Sequence, residues 1–187
     1  VGVKLVSSQG IGTIAVGVVK AGANVINVAG NSGGTGAAQQ SSIKHAGFPA
    51  ELGLAEVHRA LVKTKLRDLV SLRVSGGFKT PEDVILAAVL GADLFEFGTT
   101  AMLTLGCKMQ RTCNLSCQPG VATDAHLFKG DQLHVERYFV NLAAGIQQRL
   151  TSLGVASLRQ LRGRTEFLTI AQAKDRKSTR LNSSHRT

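Results

Sequence analysis

Apolar and polar residues follow each other in blocks whose period switches repeatedly. Val3–Val6 (VKLV) predicts a short strand, Gly10–Gly12 breaks it, and Thr13–Ala21 predicts a helix. The β-branched run Asn24–Ala29 (NVINVA) predicts a second strand, which ends in the glycine-rich loop Gly30–Ala37. In Glu51–Lys65, Leu52, Ala55, Val57, Leu61 and Val62 recur near helical spacing with charges between them. Leu69–Val74 (LVSLRV) predicts a third strand, closed by Gly76–Gly77. Thr80–Leu90 then predicts a helix with Thr80 as cap, Pro81 at its first position and Asp83 three residues after the cap. Leu94–Phe97 predicts a fourth strand ending in Gly98-Thr99-Thr100, and Thr100–Arg111 predicts a helix. Further helices are expected over Gln132–Leu150 and Ser157–Leu161.

Four strands, each followed by a glycine-bearing loop and a helix, imply consecutive βα units on a parallel sheet. Doubly wound and barrel arrangements both satisfy that pattern. The loops favour the barrel: the last two strands end in Ser75-Gly76-Gly77 and Gly98-Thr99-Thr100. In (β/α)8 barrels a phosphate commonly sits between the loops after strands seven and eight, held by backbone N–H groups. Glycine permits the close approach such a contact needs. The expected fold is therefore α/β, the C-terminal half of a (β/α)8 TIM barrel (strands five to eight) followed by a cysteine loop and helices. Tight βα turns would also explain one glycine pair, but two at consecutive strand ends favour a phosphate-bearing cofactor. No GxxxxGK[ST] motif occurs, and GNSGGTG does not give the dinucleotide fingerprint.

The 187 residues suit one domain, and 18% charged residues argue against a wholly disordered chain. The formal charge is +10, of which +4 comes from residues 174–187, where Lys174, Arg176, Lys177, Arg180 and Arg186 face Asp175 alone. That tail has no amphipathic period and reads as a disordered basic end or a sequencing artefact. With seven Phe, one Tyr and no Trp, stacking platforms for bases are scarce, and the charge distribution argues against a nucleic-acid partner. No run of about 18 apolar residues occurs, so no membrane span is expected. The first residues lack a signal peptide's basic start and long apolar stretch, which favours a cytoplasmic location, or a plastid in a photosynthetic eukaryote.

The three cysteines, Cys107, Cys113 and Cys117, lie within eleven residues as C-x5-C-x3-C. Such clustering suggests metal or iron–sulfur ligation ahead of disulfides. Three thiolates do not close a structural zinc tetrahedron but suit a three-iron cluster, and Lys108 and Arg111 would offset its anionic charge. The alternative is three buried cysteines serving as small apolar residues.

Residues 1–168 resemble, in order, the FMN-binding synthase domain of the glutamate synthase large subunit. The strings that carry the resemblance are VGVKLVSSQGIGTIAVGVVKAGANVINVAGNSGGTGAAQQSSIKHAG, ELGLAEVHRAL, GGFKTPEDVILAAVLGAD, FGTTAMLTLGC, PGVAT and NLAAGIQQRLTSLGVASLRQLRGRT. The resemblance implies reductive amination of 2-oxoglutarate to L-glutamate, with ammonia from a glutaminase domain and 2-iminoglutarate reduced by FMN. Electrons would come through a 3Fe-4S cluster from an NADPH-dependent subunit or from ferredoxin. It implies that Gly76, Gly77, Gly98 and Thr99 hold the FMN phosphate. Lys4 would face the flavin and the 2-oxoglutarate carboxylate as a catalytic and substrate-binding residue. Gly33, Gly34, Thr35 and Lys44 would belong to the loop over the substrate, Glu51 to the following helix start, and Cys107, Cys113 and Cys117 to the cluster. His45 and His58 read as structural. Two departures stand out: the cysteine loop is one residue shorter than the family's C-x5-C-x4-C, and Ser75 replaces the aspartate that commonly precedes the glycine pair. The domains implied are 1–123 (half-barrel with cysteine loop), 124–168 (helical extension) and 169–187 (tail). Alternatives are another FMN-dependent barrel oxidoreductase, or an inactive fragment whose basic tail binds nucleic acid.

Overall fold

The computed structural model describes residues 1–32 and 38–169. Strands β1 (Gly2–Val6), β2 (Val25–Ala29), β3 (Ser71–Ser75) and β4 (Leu94–Glu96) form one parallel sheet in sequence order. Parallel neighbours need a crossover. These are α1 (Ile11–Lys20), then α2 (Gln40–His45) with α3 (Ala50–Lys63), then α4 (Pro81–Val89). Beyond β4 follow α5 (Thr99–Thr104), α6 (Gln132–Ser152) and α7 (Leu158–Leu161).

Alternation along each strand sorts the side chains onto two unlike faces. Ile26 and Val28 of β2 and Leu72 and Val74 of β3 are fully buried against Ile11, Ala15, Leu54, Val57, Leu61 and Val84 of the helices. The opposite face carries Lys4 in register with Asn27 and Arg73, and Val6 with Ala29, Ser75 and Glu96. Lys4 and Val6 are exposed there. One face is apolar and lies under the helices, and the other, the face that would line a barrel's interior, carries Lys4, Asn27, Arg73 and Glu96.

The expected elements are present with shifted ends. Arg67–Leu69 forms a 3-10 turn where the third strand was expected to start, and α2 was not expected at all. The helix expected over Thr100–Arg111 stops at Thr104. Gly106, at φ +95°, closes it by donating to the Leu103 carbonyl while Cys107 N–H donates to Met102, a Schellman ending. Gly22, Gly91 and Gly154 close α1, α4 and α6 in the same way.

The expected cap of α4 is realised in full. Thr80 Oγ1 accepts from Asp83 N–H while the Asp83 carboxylate accepts from Thr80 N–H at 2.9 Å. The helical extension packs back on this region. Gly145 of α6 lies against the Pro81 ring, and Tyr138 Oη donates to the Lys79 carbonyl at 2.7 Å. Leu161 of α7 is fully buried in a second cluster with Ala88, Val89 and Leu150.

Candidate functional site

The C-terminal strand ends are drawn together by one small residue. Ala50, the first residue of α3, lies between the ends of β2 and β3. A Cβ on Gly30 would come within 2.9 Å of Ala50 N, and one on Gly76 within 2.8 Å of Ala50 Cβ. The loop before α3 also closes over β1: Ser7, fully buried, donates its hydroxyl to the Pro49 carbonyl at 2.9 Å, and Phe48 N–H donates to the Ser7 carbonyl. At the β3 and β4 ends, buried Thr100 donates Oγ1 to the Phe78 carbonyl at 2.5 Å, tying the two loops to each other.

This juxtaposition leaves donors free. The amides of Gly76, Gly77, Gly98 and Thr99 have no hydrogen-bond partner among the described residues. Gly77 has φ +77°, and a Cβ there would approach Ser32 Oγ of the loop after β2 to 3.8 Å. A Cβ on Gly98 would meet nothing within 4 Å. The two loops therefore offer amides and space to an anion, as a phosphate requires. Gly76 is explained as well by packing against Ala50.

Lys4 lies in the middle of β1, on the face away from the helices, and is exposed. It makes no ion pair among the described residues. Two strands away, Arg73 Nη1 pairs with Glu96 Oε1 at 3.2 Å. Burial works to raise the Glu96 pKa, but hydrogen bonds from Asn27 and Arg73 and the charges of Lys4 and Arg73 prevail and lower it. Asn27, 7% exposed, keeps a buried Oδ1 without a partner. Such an atom costs free energy unless a donor reaches it, so this face fits a ligand that offers an N–H or O–H. Asn27, Arg73 and Glu96 were not singled out from the sequence; Lys4 was named through the resemblance, and nothing in the sequence pointed to these three.

Lys44 is exposed on α2, whose end is tied to the loop after β2 by Asn31 Nδ2 donating to the Lys44 carbonyl at 3.4 Å. Gly33, Gly34 and Thr35 lie outside the described residues. Glu51, in the first turn of α3, lines a small cavity with Gly76, Gly77, Phe78 and Asp83.

Cys107, Cys113 and Cys117 are free thiols that line one cavity with Lys108 and Arg111. No three His, Cys, Asp or Glu side chains among the described residues converge as ligands of one metal ion. In a three-iron cluster each thiolate binds its own iron, so convergence on a single point is not the requirement. The loop is already shaped around its sulfurs. Met109 N–H donates to Cys107 Sγ at 3.5 Å and Ala122 N–H to Cys117 Sγ at 3.4 Å. The amide of Ala122, with those of Thr123, Val121 and Gly120, lowers the Cys117 pKa. Asp124, which the sequence did not flag, accepts from Cys117 N–H at 2.6 Å and from Thr123 Oγ1 at 3.0 Å. Three thiols, two of them backed by N–H donors, together with two cations fit an anionic cluster. No helix among the described residues is long and apolar enough to cross a membrane.

The conserved region in glutamate synthase matches residues 1–156. The ferredoxin-dependent glutamate synthase of Cyanidium caldarium is 51% identical over 173 residues, which cover 90% of this chain and 11% of that protein. The glutamate synthase [NADPH] large chain of Azospirillum brasilense is 47% identical over 171 residues, 89% of this chain and 11% of its own length. This chain thus spans about a ninth of such relatives. Among solved structures, a mandelate oxidase with a monooxide FMN adduct superposes with a TM-score of 0.58 at 19% identity, over 87% of this chain and 40% of that one. A flavocytochrome b2 with pyruvate bound gives 0.59 at 17% identity, over 86% and 33%. At these identities the likeness is one of fold, over a part of each structure.

Proposed function

Because the chain belongs to the glutamate synthase family, we propose that it forms the second half of that enzyme's FMN-bearing barrel together with its iron–sulfur loop. The reaction is reductive amination of 2-oxoglutarate to L-glutamate, with ammonia delivered from a glutaminase domain. One observation carries the reading: two strand-end loops, joined through Thr100 and Phe78, leave the amides of Gly76, Gly77, Gly98 and Thr99 without partners among the described residues. Those four residues hold the FMN phosphate. When bound, FMN supplies the hydride that reduces 2-iminoglutarate.

The chain's own residues bind and orient. Lys4 pairs with a substrate carboxylate, and Gly33, Gly34, Thr35 and Lys44 are assigned to substrate binding. Asn27 offers Oδ1 to a donor on the face of the sheet it shares with Lys4. Cys107, Cys113 and Cys117 would hold the 3Fe-4S cluster, which would supply one-electron transfer between a ferredoxin or NADPH-dependent donor and the flavin. Residues 1–123 form the half-barrel with its cysteine loop, and residues 124–168 extend it.

The structure selects the substitution that tests the phosphate site. Gly76→Leu would collide with Ala50 whether or not a ligand binds. Gly98 faces open space at an ordinary φ of −105°. In a full-length synthase carrying this segment, Gly98→Leu is expected to lose bound flavin while keeping its fold, read as flavin absorbance per polypeptide. Undiminished flavin content removes the phosphate assignment. Lys4→Ala should keep flavin but lose turnover with 2-oxoglutarate and ammonia.

A further inference from the structure

The three thiols of the cysteine loop are held in unlike ways, and the difference centres on a residue outside the ligand set. Cys117 is 6% exposed, whereas Cys107 and Cys113 are half-buried. Around Cys117 the chain folds back on itself. Gly120 N–H donates to the Cys117 carbonyl at 2.8 Å, and Ala122 N–H donates to Cys117 Sγ at 3.4 Å. The Asp124 carboxylate closes the ring by accepting from Cys117 N–H at 2.6 Å. Leu127 N–H then donates to the Asp124 carbonyl at 2.8 Å. Gly120, at φ +70°, is so enclosed that a Cβ there would collide with the backbone of Asp124, Leu127 and Phe128. All these contacts lie within residues 117–128, so the cage is built by this segment alone. Cys113 belongs to a separate turn, in which the Leu115 and Ser116 amides both donate to the Thr112 carbonyl at 3.0 Å. Cys107 Sγ accepts only from Met109 N–H, two residues on, among the described backbone donors.

As a charge, a carboxylate beside an anionic cluster is unfavourable, because like charges repel. Lys108 and Arg111, which line the same cavity as the thiols, answer the cluster's charge; Asp124 does not. What Asp124 supplies is direction. A hydrogen bond from an amide to an ionised carboxylate is short and strong, and this one fixes the backbone of the residue that bears the sulfur. Partners that orient metal ligands in this way govern metal affinity by roughly 10- to 100-fold. We propose that Asp124 is the positioning residue of the iron–sulfur site: it holds Cys117 as the fixed corner onto which Cys107 and Cys113 close. The proposal rests on the assignment of the three cysteines to a 3Fe-4S cluster and adds an order among them.

The test is made in a full-length synthase carrying this segment, with iron as the probe. Asp124→Ala removes the acceptor and should weaken iron retention against a competing chelator about tenfold, with circular dichroism unchanged. Asp124→Asn keeps an oxygen for Cys117 N–H while removing the charge. It should retain iron as the wild type does, and the cluster's midpoint potential should rise, because a neighbouring negative charge is gone. Iron held by Asp124→Ala as firmly as by the wild type overturns the role of Asp124 alone. So does an Asp124→Asn protein that loses iron as readily as Asp124→Ala, or one that keeps the wild-type potential. A wild-type enzyme without iron overturns the cluster assignment itself, and this role with it.

Discussion

Arg67 and Asp93 join two turns on the side of the sheet away from the candidate site. The guanidinium, 5% exposed, places Nη2 at 2.6 Å from Asp93 Oδ2. Arg67 also donates to the Val70 and Gly91 carbonyls at 2.8 Å and, through Nε, to His58 Nδ1 at 3.1 Å. Asp93 in turn accepts from Leu72 N–H at 2.8 Å and from Arg162 of the extension at 3.3 Å. A single buried cation thus fastens the third helix, the third and fourth strands and the C-terminal extension.

Removing one member of such a group strands the other. Arg67→Ala leaves the Asp93 carboxylate and two turn carbonyls unsatisfied, and should cost about 3 kcal/mol. Urea unfolding of the two proteins measures it, and a loss below about 1 kcal/mol would show that the network is replaceable by water.

His58 makes that fastening pH-dependent. Burial first, then the charges of Arg67 and Arg162, lower its pKa from the ordinary 6.5. The unfolded chain therefore binds this proton more readily than the folded one. Stability is full above pH 6.5 and falls as the pH drops from there toward the folded-state pKa. Melting temperatures of the wild type and His58→Gln, followed from neutral to mildly acidic pH, should converge as acid removes the wild type's advantage. A constant difference across that range would exclude His58 as the titrating group.

Gly163 is the point at which the extension passes His58. It has φ +75°, and a Cβ there would press into the imidazole. Gly163→Val should release residues 158–168 from the sheet, seen as early proteolytic cleavage at Arg162 or Arg164, while the half-barrel remains protected.

Thr80 tests the helix that follows the first candidate loop. Thr80→Ala removes the acceptor for Asp83 N–H and should cost about 1 kcal/mol by thermal unfolding. An unchanged melting temperature would mean that Asp83 alone suffices to start the helix.

The four β/α units were legible in the sequence because a buried parallel strand announces itself as a short β-branched run, as Val25–Ala29 does. The cap at Thr80 was legible because its partner lies three residues away. Arg67 was not: a guanidinium closed by a carboxylate 26 residues later leaves no local pattern. Nor was the early end of α5, where Gly106 overrides the helix-forming residues around it. At the candidate site, the glycines after β3 and β4 could be picked out, but their reasons could not be separated. Gly76 is small because Ala50 lies against it, whereas Gly98 has room to spare. That Asn27, Arg73 and Glu96 share one face of the sheet depends on register between strands far apart in sequence, which no single segment displays.

Position 50 has little freedom at the strand ends. Its methyl group is wedged between two residues that have none, Gly30 and Gly76. In a saturation library this site would tolerate glycine and serine and reject every bulkier side chain, however apolar. A leucine there would prise apart the second and third strands, and the spacing of the phosphate-facing turn would change although no residue of that turn had been touched.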